Sequence, residues 1–138
     1  GYPEKHFESP SLKQDIFYLK KKVELGAEYI MTQMFFDNQK YFDFVTICRS
    51  EGITVPIIPG IKILKTKNQL QSIPSNFYID LPDELVEEAM GNPDHIPAIG
   101  IRWAQKQVEE LLKADVPDVH FYIMNDTELV VDVIKKFR

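Results

Sequence analysis

The chain has 138 residues, of which 44% are hydrophobic and 27% charged, and this is enough for one globular domain with its own core. The net charge is −5 and the basic residues are scattered, so there is no electrostatic reason to expect a nucleic-acid partner. No apolar run has the length of a membrane span and no signal peptide opens the chain, so we expect no membrane partner.

Hydrophobic periodicity predicts helices and strands that alternate along the chain with short connections. A capping box formed by Ser11 and Gln14 starts the first helix, Gly26 supplies the left-handed stop that ends it, and Gly52 closes the second helix. The predicted elements are, in chain order, a helix over 11–26, a strand over 28–36, a helix capped by Asp37 or Asn38, a strand over 54–59 ended by Pro59-Gly60, short helices over 67–72 and from 82, a helix over 99–114, a strand over 116–124 and a closing helix capped by Asp126 or Thr127.

The single cysteine, Cys48, lies on the apolar stripe of the second predicted helix. It cannot form an internal disulfide, and we expect a buried structural thiol rather than a reactive one. This pattern fits a reducing, cytoplasmic setting.

The alternation predicts parallel strands joined by helical crossovers, which is an α/β fold. No Gly-rich dinucleotide fingerprint follows any of the strands. Gln33, Gly60 and Asn125 fall near the C-terminal ends of strands, where both open sheets and barrels place their ligand sites. The pattern alone favours neither architecture strongly.

Gln33 is the most informative single residue, because it is a polar amide in an apolar, aromatic strand. An unpaired buried amide costs about 1–3 kcal/mol, so Gln33 needs a partner. One interpretation is a hydrogen bond to a neighbouring backbone group. The other is an amide that fixes a planar heterocycle by paired donor and acceptor bonds.

The histidines give no metal site, because none has a second ligand at a suitable spacing. His6 stands in a loop before the first helix and is more often a surface residue than a ligand. Strand alternation sends His120 and Tyr122 to one face and Phe121 to the other, with core packing as the default role.

Five phrases of the sequence match, in order and over the whole chain, those of one known family. On these phrases the chain resembles the methylenetetrahydrofolate reductase family. They are Gly1-Tyr-Pro-Glu-Lys-His6, Leu19-Lys-Lys-Lys-Val23 followed by Gly26-Ala27, Thr32-Gln-Met-Phe-Phe-Asp37, Ile57-Ile-Pro-Gly-Ile61, and His120-Phe-Tyr122 with Asn125.

The resemblance implies a (β/α)8 TIM barrel that holds FAD across its C-terminal face. The flavin takes a hydride from NADH or NADPH and passes it to 5,10-methylenetetrahydrofolate, which gives 5-methyltetrahydrofolate. Residues 1–138 would be the C-terminal half of the single catalytic domain, with strands six to eight, and the N-terminal half would be absent.

Carried over residue by residue, the resemblance also implies a set of contacts. At Ser9 and Tyr18 the side chains vary from the family pattern. At Lys21 and Lys22 an ammonium group beside the anionic diphosphate would make a charge-assisted contact. The implied FAD contacts are Tyr2, His6, Ser9, Asp15, Tyr18, Lys21 and Lys22, and the implied folate contacts are Gln33 and Gln69.

Two departures from the family matter. The family continues His-Phe-Tyr with Thr-Leu-Asn-Arg, whereas this chain has Asp126 where the arginine would meet the substrate. Lys62 or Lys65 could replace that cation. The family's general acid, a glutamate on its first strand, and the aspartate near the flavin on its fourth have no counterpart here. We therefore expect no catalytic residue in this chain, and no turnover by the chain alone.

Two other classes remain open. One is a binding or assembly module that keeps a FAD or folate site, or that dimerises to cover its open strand edges, because three parallel strands leave pairing-prone edges. We expect a homo-oligomer on this ground. The other is an unrelated phosphate-binding barrel enzyme, which would leave Gln33 and the loop of Tyr2 and His6 without roles.

Overall fold

The structure, a computed structural model, describes residues 12–77, 79–123 and 127–137, with only the main chain for 12 and 13. The predicted caps at Ser11 and Asp126 lie outside these ranges. Helices alternate with short strands, as the sequence predicts. The elements are α1 (Leu12–Glu24), β1 (Ile30–Met34), α2 (Asn38–Ser50), β2 (Ile57–Ile61), α3 (Gln69–Phe77), α4 (Asp83–Gly91), a 3-10 turn (Pro93–His95), α5 (Ile96–Lys113), β3 (His120–Phe121) and α6 (Thr127–Lys135).

The three strands form one parallel sheet in the order β1-β2-β3. Ile30 of β1 lies opposite Ile57 of β2, and Gly60 of β2 lies opposite His120 of β3. At least one helix lies between each strand and the next, as parallel pairing requires. The predicted α/β class with parallel strands is therefore confirmed.

A layer of helices covers one face of the sheet. Ile30, Ile57 and Ile61 face this layer, and each is at most 4% exposed. Full burial of an aliphatic side chain of this size stabilises a fold by about 1.5–3 kcal/mol, so this cluster, the helix-side cluster, contributes strongly to stability. Its other buried members are Ile16, Phe35, Tyr41, Phe44, Cys48, Ile53, Ile63, Ala104, Val108, Leu111, Val130 and Val133.

A second apolar cluster is built from residues at and beyond the C-terminal ends of the strands. Phe36 follows β1 and Leu64 follows β2, and the partly buried Tyr122, which packs against them, follows β3. The indole N–H of Trp103 on α5 donates a hydrogen bond of 2.8 Å to the carbonyl of Phe36, so α5 is fixed to this end of the sheet. The other buried members, several of them from α3 and α4, are Met34, Ile73, Ile79, Leu85, Ala89, Ile96 and Ile99.

The strand boundaries correct the sequence-based predictions. β1 is shorter than 28–36, because Phe35 and Phe36 are buried beyond the paired segment and serve the two apolar clusters. β2 covers Ile57–Ile61, so Pro59 and Gly60 lie inside the strand instead of ending it. β3 is limited to two residues, because within the described chain it pairs only with the end of β2.

The helices agree more closely with the periodicity. Gly26 has a φ angle of 114°, so the left-handed stop predicted there is confirmed, and Gly52, which ends the second helix, also has a positive φ of 83°. α5 begins at Ile96 instead of residue 99, because Pro97 is well suited to a first helical turn. The short helix predicted over 67–72 lies at Gln69–Phe77, and it continues past Pro74.

Candidate functional site

The site begins with an irregularity in β1, opposite Pro59 of β2. Between Met31 and Met34 the register shifts, so Thr32 and Gln33 together lie opposite Pro59. An extra residue of this kind is a β-bulge, which bends the strand and interrupts the regular ladder. The N–H of Gly60 donates to the Thr32 hydroxyl at 2.9 Å.

Tyr122 connects the ends of all three strands. Its N–H donates to the carbonyl of Ile61 at 2.9 Å, and its hydroxyl crosses β2 to donate to the carbonyl of Thr32 at 2.6 Å. The ring passes directly over Gly60, where an added Cβ would lie 2.5 Å from Tyr122 Cε2 and 2.7 Å from the Thr32 oxygen. Only glycine at position 60 allows this approach.

Gln33 lies on the bulge, half-buried between the buried residues Thr32 and Met34. Its Oε1 accepts a hydrogen bond of 3.0 Å from the N–H of Met34. Within the described ranges its Nε2 donates no hydrogen bond. The hydrogen bond to a neighbouring backbone group, one of the two interpretations of the sequence, therefore exists, but it involves only the oxygen, and the amide N–H groups donate to no described residue.

Gln69 has a similar arrangement at the start of α3. Its Oε1 accepts from the N–H groups of Lys65 at 2.7 Å and Thr66 at 3.1 Å, which fixes the loop after β2. Its Nε2 has no hydrogen-bond partner among the residues that the structure describes. In both glutamines the side-chain oxygen accepts hydrogen bonds from nearby main-chain N–H groups, while the amide N–H groups donate to no described residue.

Lys62 is the buried cation of this region. It is 8% exposed, and its Nζ lies 3.4 Å from the carbonyl oxygen of Tyr122. Lys65, the other cation considered from the sequence, is half-buried and contacts Gln69 through its main chain. Of the two lysines, Lys62 lies at the strand ends.

Sequence reasoning missed the role of Tyr122, which it assigned to core packing. The ring does pack in the second cluster, and it stands edge-on to His120 with ring centroids 4.6 Å apart, so these two side chains share a face as predicted. The hydroxyl contact to Thr32 spans 90 residues of sequence. The available signal was a threonine in an aromatic strand, which calls for a hydrogen-bond partner.

The predicted FAD contacts on α1 do not all lie on one side of the helix. Asp15, Tyr18 and Lys22 are three and four residues apart and so share a face, while Lys21 is rotated by about 100° from Lys22. Tyr18 is 54% exposed and both lysines are exposed. Lys21 Nζ lies 4.9 Å from the centroid of the Phe17 ring. Tyr2, His6 and Ser9 lie outside the described residues.

A groove of about 560 Å³ separates α1 from α2, but it does not mark the strand-end site. It lies against the helices, and of the residues singled out in the sequence only Lys21 contributes to it. Its lining is Ile16, Phe17, Lys20, Lys21, Glu24, Ile47 and Glu51.

The buried thiol expected at Cys48 is confirmed, since the side chain is 0% exposed. Burial raises the pKa of the thiol to about 11, so it is neutral and a poor nucleophile near pH 7. In residues 12–77, 79–123 and 127–137 no three His, Cys, Asp or Glu side chains form a group that could hold a metal ion. Of the helices in these ranges, none has the length and apolar character needed to span a bilayer.

Comparison with known proteins gives a consistent picture. A family model described as methylenetetrahydrofolate reductase matches residues 1–138. A probable methylenetetrahydrofolate reductase (NADPH) of Caenorhabditis elegans is 31% identical over 98% of this chain and 21% of its own length. The 5,10-methylenetetrahydrofolate reductase of Escherichia coli strain K12 is 34% identical over 94% of this chain and 45% of its own length.

A solved structure shows the same fold. It is an uncharacterized protein from Clostridium thermocellum that binds two copies of 5-methyl-5,6,7,8-tetrahydrofolic acid. The TM-score is 0.60 at 16% identity, and the match covers 99% of this chain and 52% of that one. The chain thus spans about half, or less, of each of these three proteins. The family match over all 138 residues decides the assignment: the chain belongs to the methylenetetrahydrofolate reductase family.

Proposed function

We propose that this chain forms part of a flavin-dependent reductase that converts 5,10-methylenetetrahydrofolate to 5-methyltetrahydrofolate with NADH or NADPH. The observation that carries the proposal is the Gln33 amide, which stands at the C-terminal end of a parallel strand with its oxygen bonded to Met34 and its donors unused by the described residues. This is the edge of the sheet where α/β proteins bind ligands. The Clostridium thermocellum protein with the same fold binds a reduced folate, which supports a folate as the ligand.

The pterin ring of a folate is flat and carries several hydrogen-bond acceptors, so it is suited to glutamine N–H donors. In the proposal Gln33 and Gln69 bind this ring, each held by the bonds to its oxygen. Lys62 replaces the cation that the family places near Asp126. Its burial after β2 makes it a better candidate than Lys65.

The residues of α1 are chemically suited to FAD. Asp15, Tyr18 and Lys22 share one helix face, with a carboxylate that can accept from ribose hydroxyls, an exposed aromatic ring and an ammonium group for the diphosphate. Lys21 adds a second positive charge on the neighbouring face. When bound, FAD would supply hydride transfer between the nicotinamide and the folate.

Protonation of the folate during reduction needs a positioned acid. The 138 residues contain no match to the family's general acid, and we propose that this chain by itself does not catalyse the reduction of the folate. The three strands then correspond to strands six to eight of a (β/α)8 barrel. A cytoplasmic location remains a prediction from the single buried thiol.

FAD titration, followed by the quenching of flavin fluorescence, tests the cofactor proposal. Lys22→Ala should raise the Kd for FAD about threefold to tenfold, because a charged hydrogen bond is lost, and the effect should shrink at high salt. Lys20→Ala is the matched control, since it removes the same charge from the side of α1 that faces the groove. Equal effects of the two variants would contradict a diphosphate contact at Lys22.

Calorimetric titration with 5-methyltetrahydrofolate tests the folate proposal. Gln33→Ala should weaken binding about tenfold, while Gln39→Ala should not, because the Gln39 amide is exposed and bonded to Asp43. FAD binding without folate binding would favour the alternative of a cofactor-binding module. Binding of neither ligand would favour an assembly module.

A further inference from the structure

We propose that Tyr122 and Thr32 are positioning residues for the Gln33 amide, with the Tyr122 hydroxyl acting through the main chain of Thr32. The folate part of this inference rests on the function proposed above. The structural part does not, because it concerns only how the bulge of β1 is held in place.

The bulge needs a restraint of its own. Opposite Pro59 the regular ladder is interrupted, and a bulged segment has lost the main-chain bonds that fix a strand. Two bonds replace them at Thr32: its hydroxyl accepts from Gly60 N–H at 2.9 Å, and its carbonyl accepts from the Tyr122 hydroxyl at 2.6 Å. Thr32 is 0% exposed, so water cannot substitute for either partner.

Tyr122 can provide this restraint because it is fixed at several points. Its N–H is bonded to Ile61, its carbonyl oxygen lies 3.4 Å from Lys62 Nζ, and its ring lies over Gly60 and edge-on to His120. The hydroxyl therefore has a defined position relative to β2 and β3, and it transmits that position to Thr32 in β1.

Gln33 depends on Thr32 through the next peptide. The Gln33 oxygen accepts from the N–H of Met34, which is the residue where regular pairing with β2 resumes. If the carbonyl of Thr32 is released, the peptides on either side of Gln33 are free to rotate. The bond from Met34 then weakens, and the amide N–H groups lose their fixed direction.

The chain offers a matched control in Tyr41. Its hydroxyl donates to the carbonyl of Ile57 at 2.6 Å, the same distance as the Tyr122 bond. Both acceptors are main-chain carbonyls within strands, Ile57 in β2 and Thr32 in β1. Tyr41 lies in the helix-side cluster and makes no hydrogen bond to Thr32. Tyr122→Phe and Tyr41→Phe thus remove the same group from opposite faces of the sheet.

The first experiment needs no ligand. The heteronuclear NOE of the Gln33 side-chain amide, measured by NMR on the ¹⁵N-labelled chain, should fall in Tyr122→Phe and remain unchanged in Tyr41→Phe. Thr32→Ser should retain the wild-type value, and Thr32→Val, which removes the hydroxyl at similar volume, should lower it. An unchanged NOE in both Tyr122→Phe and Thr32→Val overturns the inference.

The second experiment connects position to binding through a double-mutant cycle on 5-methyltetrahydrofolate affinity. Tyr122→Phe should raise the Kd about threefold to tenfold in the wild-type background and have no effect in the Gln33→Ala background. An effect of equal size in both backgrounds means that Tyr122 does not act through Gln33, and it overturns the inference. If Gln33→Ala alone leaves the Kd unchanged, the folate role of Gln33 fails, while the NMR result still decides whether Tyr122 positions the amide.

Discussion

At the scale of single residues, Pro59 and Gly60 lie where the three strand ends meet. The bulge of β1 lies opposite Pro59, and Gly60 leaves room for the Tyr122 ring. Neither residue ends the strand, although Pro-Gly is typical of turns. The Pro-Gly pair is visible in the sequence, but its structural role depends on which residues of β1 and β3 lie beside it.

Gly60→Ala is expected to destabilise the protein by about 1–3 kcal/mol, because the new methyl group overlaps main-chain and ring atoms that cannot move freely. Urea denaturation gives the free energy of unfolding. Gly91→Ala is the control, since a Cβ at position 91 meets no atom within 4 Å. Equal stability of Gly60→Ala and the wild-type chain would contradict the close approach of Tyr122.

The buried thiol predicts a loss of stability at alkaline pH. The pKa of Cys48 is about 9.0 in the unfolded chain and about 11 in the folded one. Between these values the unfolded chain releases the proton and the folded chain does not, so the free energy of unfolding falls as pH rises from 9 to 11 and is unaffected by this group below pH 9.

Thermal unfolding at pH 7.5, 9 and 10.5 measures this effect. Cys48→Ala should be less stable at pH 7.5, because it leaves a small cavity, and its stability should fall less steeply above pH 9. Tyr41, whose pKa burial raises to about 12, contributes a further decline above pH 10 in both proteins. If stability falls equally steeply above pH 9 in Cys48→Ala and in the wild-type chain, the raised pKa of Cys48 is refuted as the cause of the decline.

At the scale of elements, the helices were predictable because their signal is local. Apolar spacing located α1, α2, α5 and α6, and the left-handed glycines fixed the ends of the first two. The strands were predicted in the right places but with wrong limits. A strand ends where its partner ends, and hydrophobic residues such as Phe35 and Phe36 are buried whether or not they are paired.

The contact between α2 and α5 depends on a pair of buried amides. Asn38 Nδ2 donates to the Gln107 carbonyl at 3.1 Å, and Gln107 Nε2 donates to Asn38 Oδ1 at 3.2 Å and to the Phe35 carbonyl at 3.1 Å. Asn38→Ala should therefore lower the free energy of unfolding by about 1–3 kcal/mol, since buried donors and acceptors are left unpaired.

Chemical denaturation tests this value, with Asn92→Ala as the matched control. The Asn92 side chain also donates to a main-chain carbonyl at 3.1 Å, but it is exposed, so its loss should change stability by less than about 0.5 kcal/mol. Similar losses in the two variants would mean that burial does not strengthen the α2–α5 contact.

At the scale of the whole molecule, the helices of the described chain cover one face of the sheet and not the other. Gln33, Ile58 and His120 point away from the helix-side cluster and are half-buried within the described chain. Both outer strands of the sheet, β1 and β3, also have an unpaired side in the described chain. Surfaces of this kind favour association, which is the reason for expecting a homo-oligomer.

Sedimentation velocity over a range of protein concentrations is expected to show association of the 138-residue chain. Ile58→Lys should shift the distribution toward monomer, because it places a charge on the uncovered face. Val131→Lys is the control, since Val131 is 44% exposed on α6, a helix that packs on the covered face. A single monomeric species of the wild-type chain at all concentrations would contradict association through this face.

The sequence by itself determined the α/β class, the order of helices and strands, the buried cysteine and the family, because these depend on local periodicity and on short ordered phrases. It also identified Gln33. Only the tertiary structure showed that the Gln33 oxygen accepts from the main chain while its amide N–H groups donate to no described residue, and it brought Tyr122, Thr32 and Gly60 into one hydrogen-bonded unit. The physical reason is distance along the chain: Thr32 and Tyr122 are 90 residues apart, and their contact exists only after the three strands have paired.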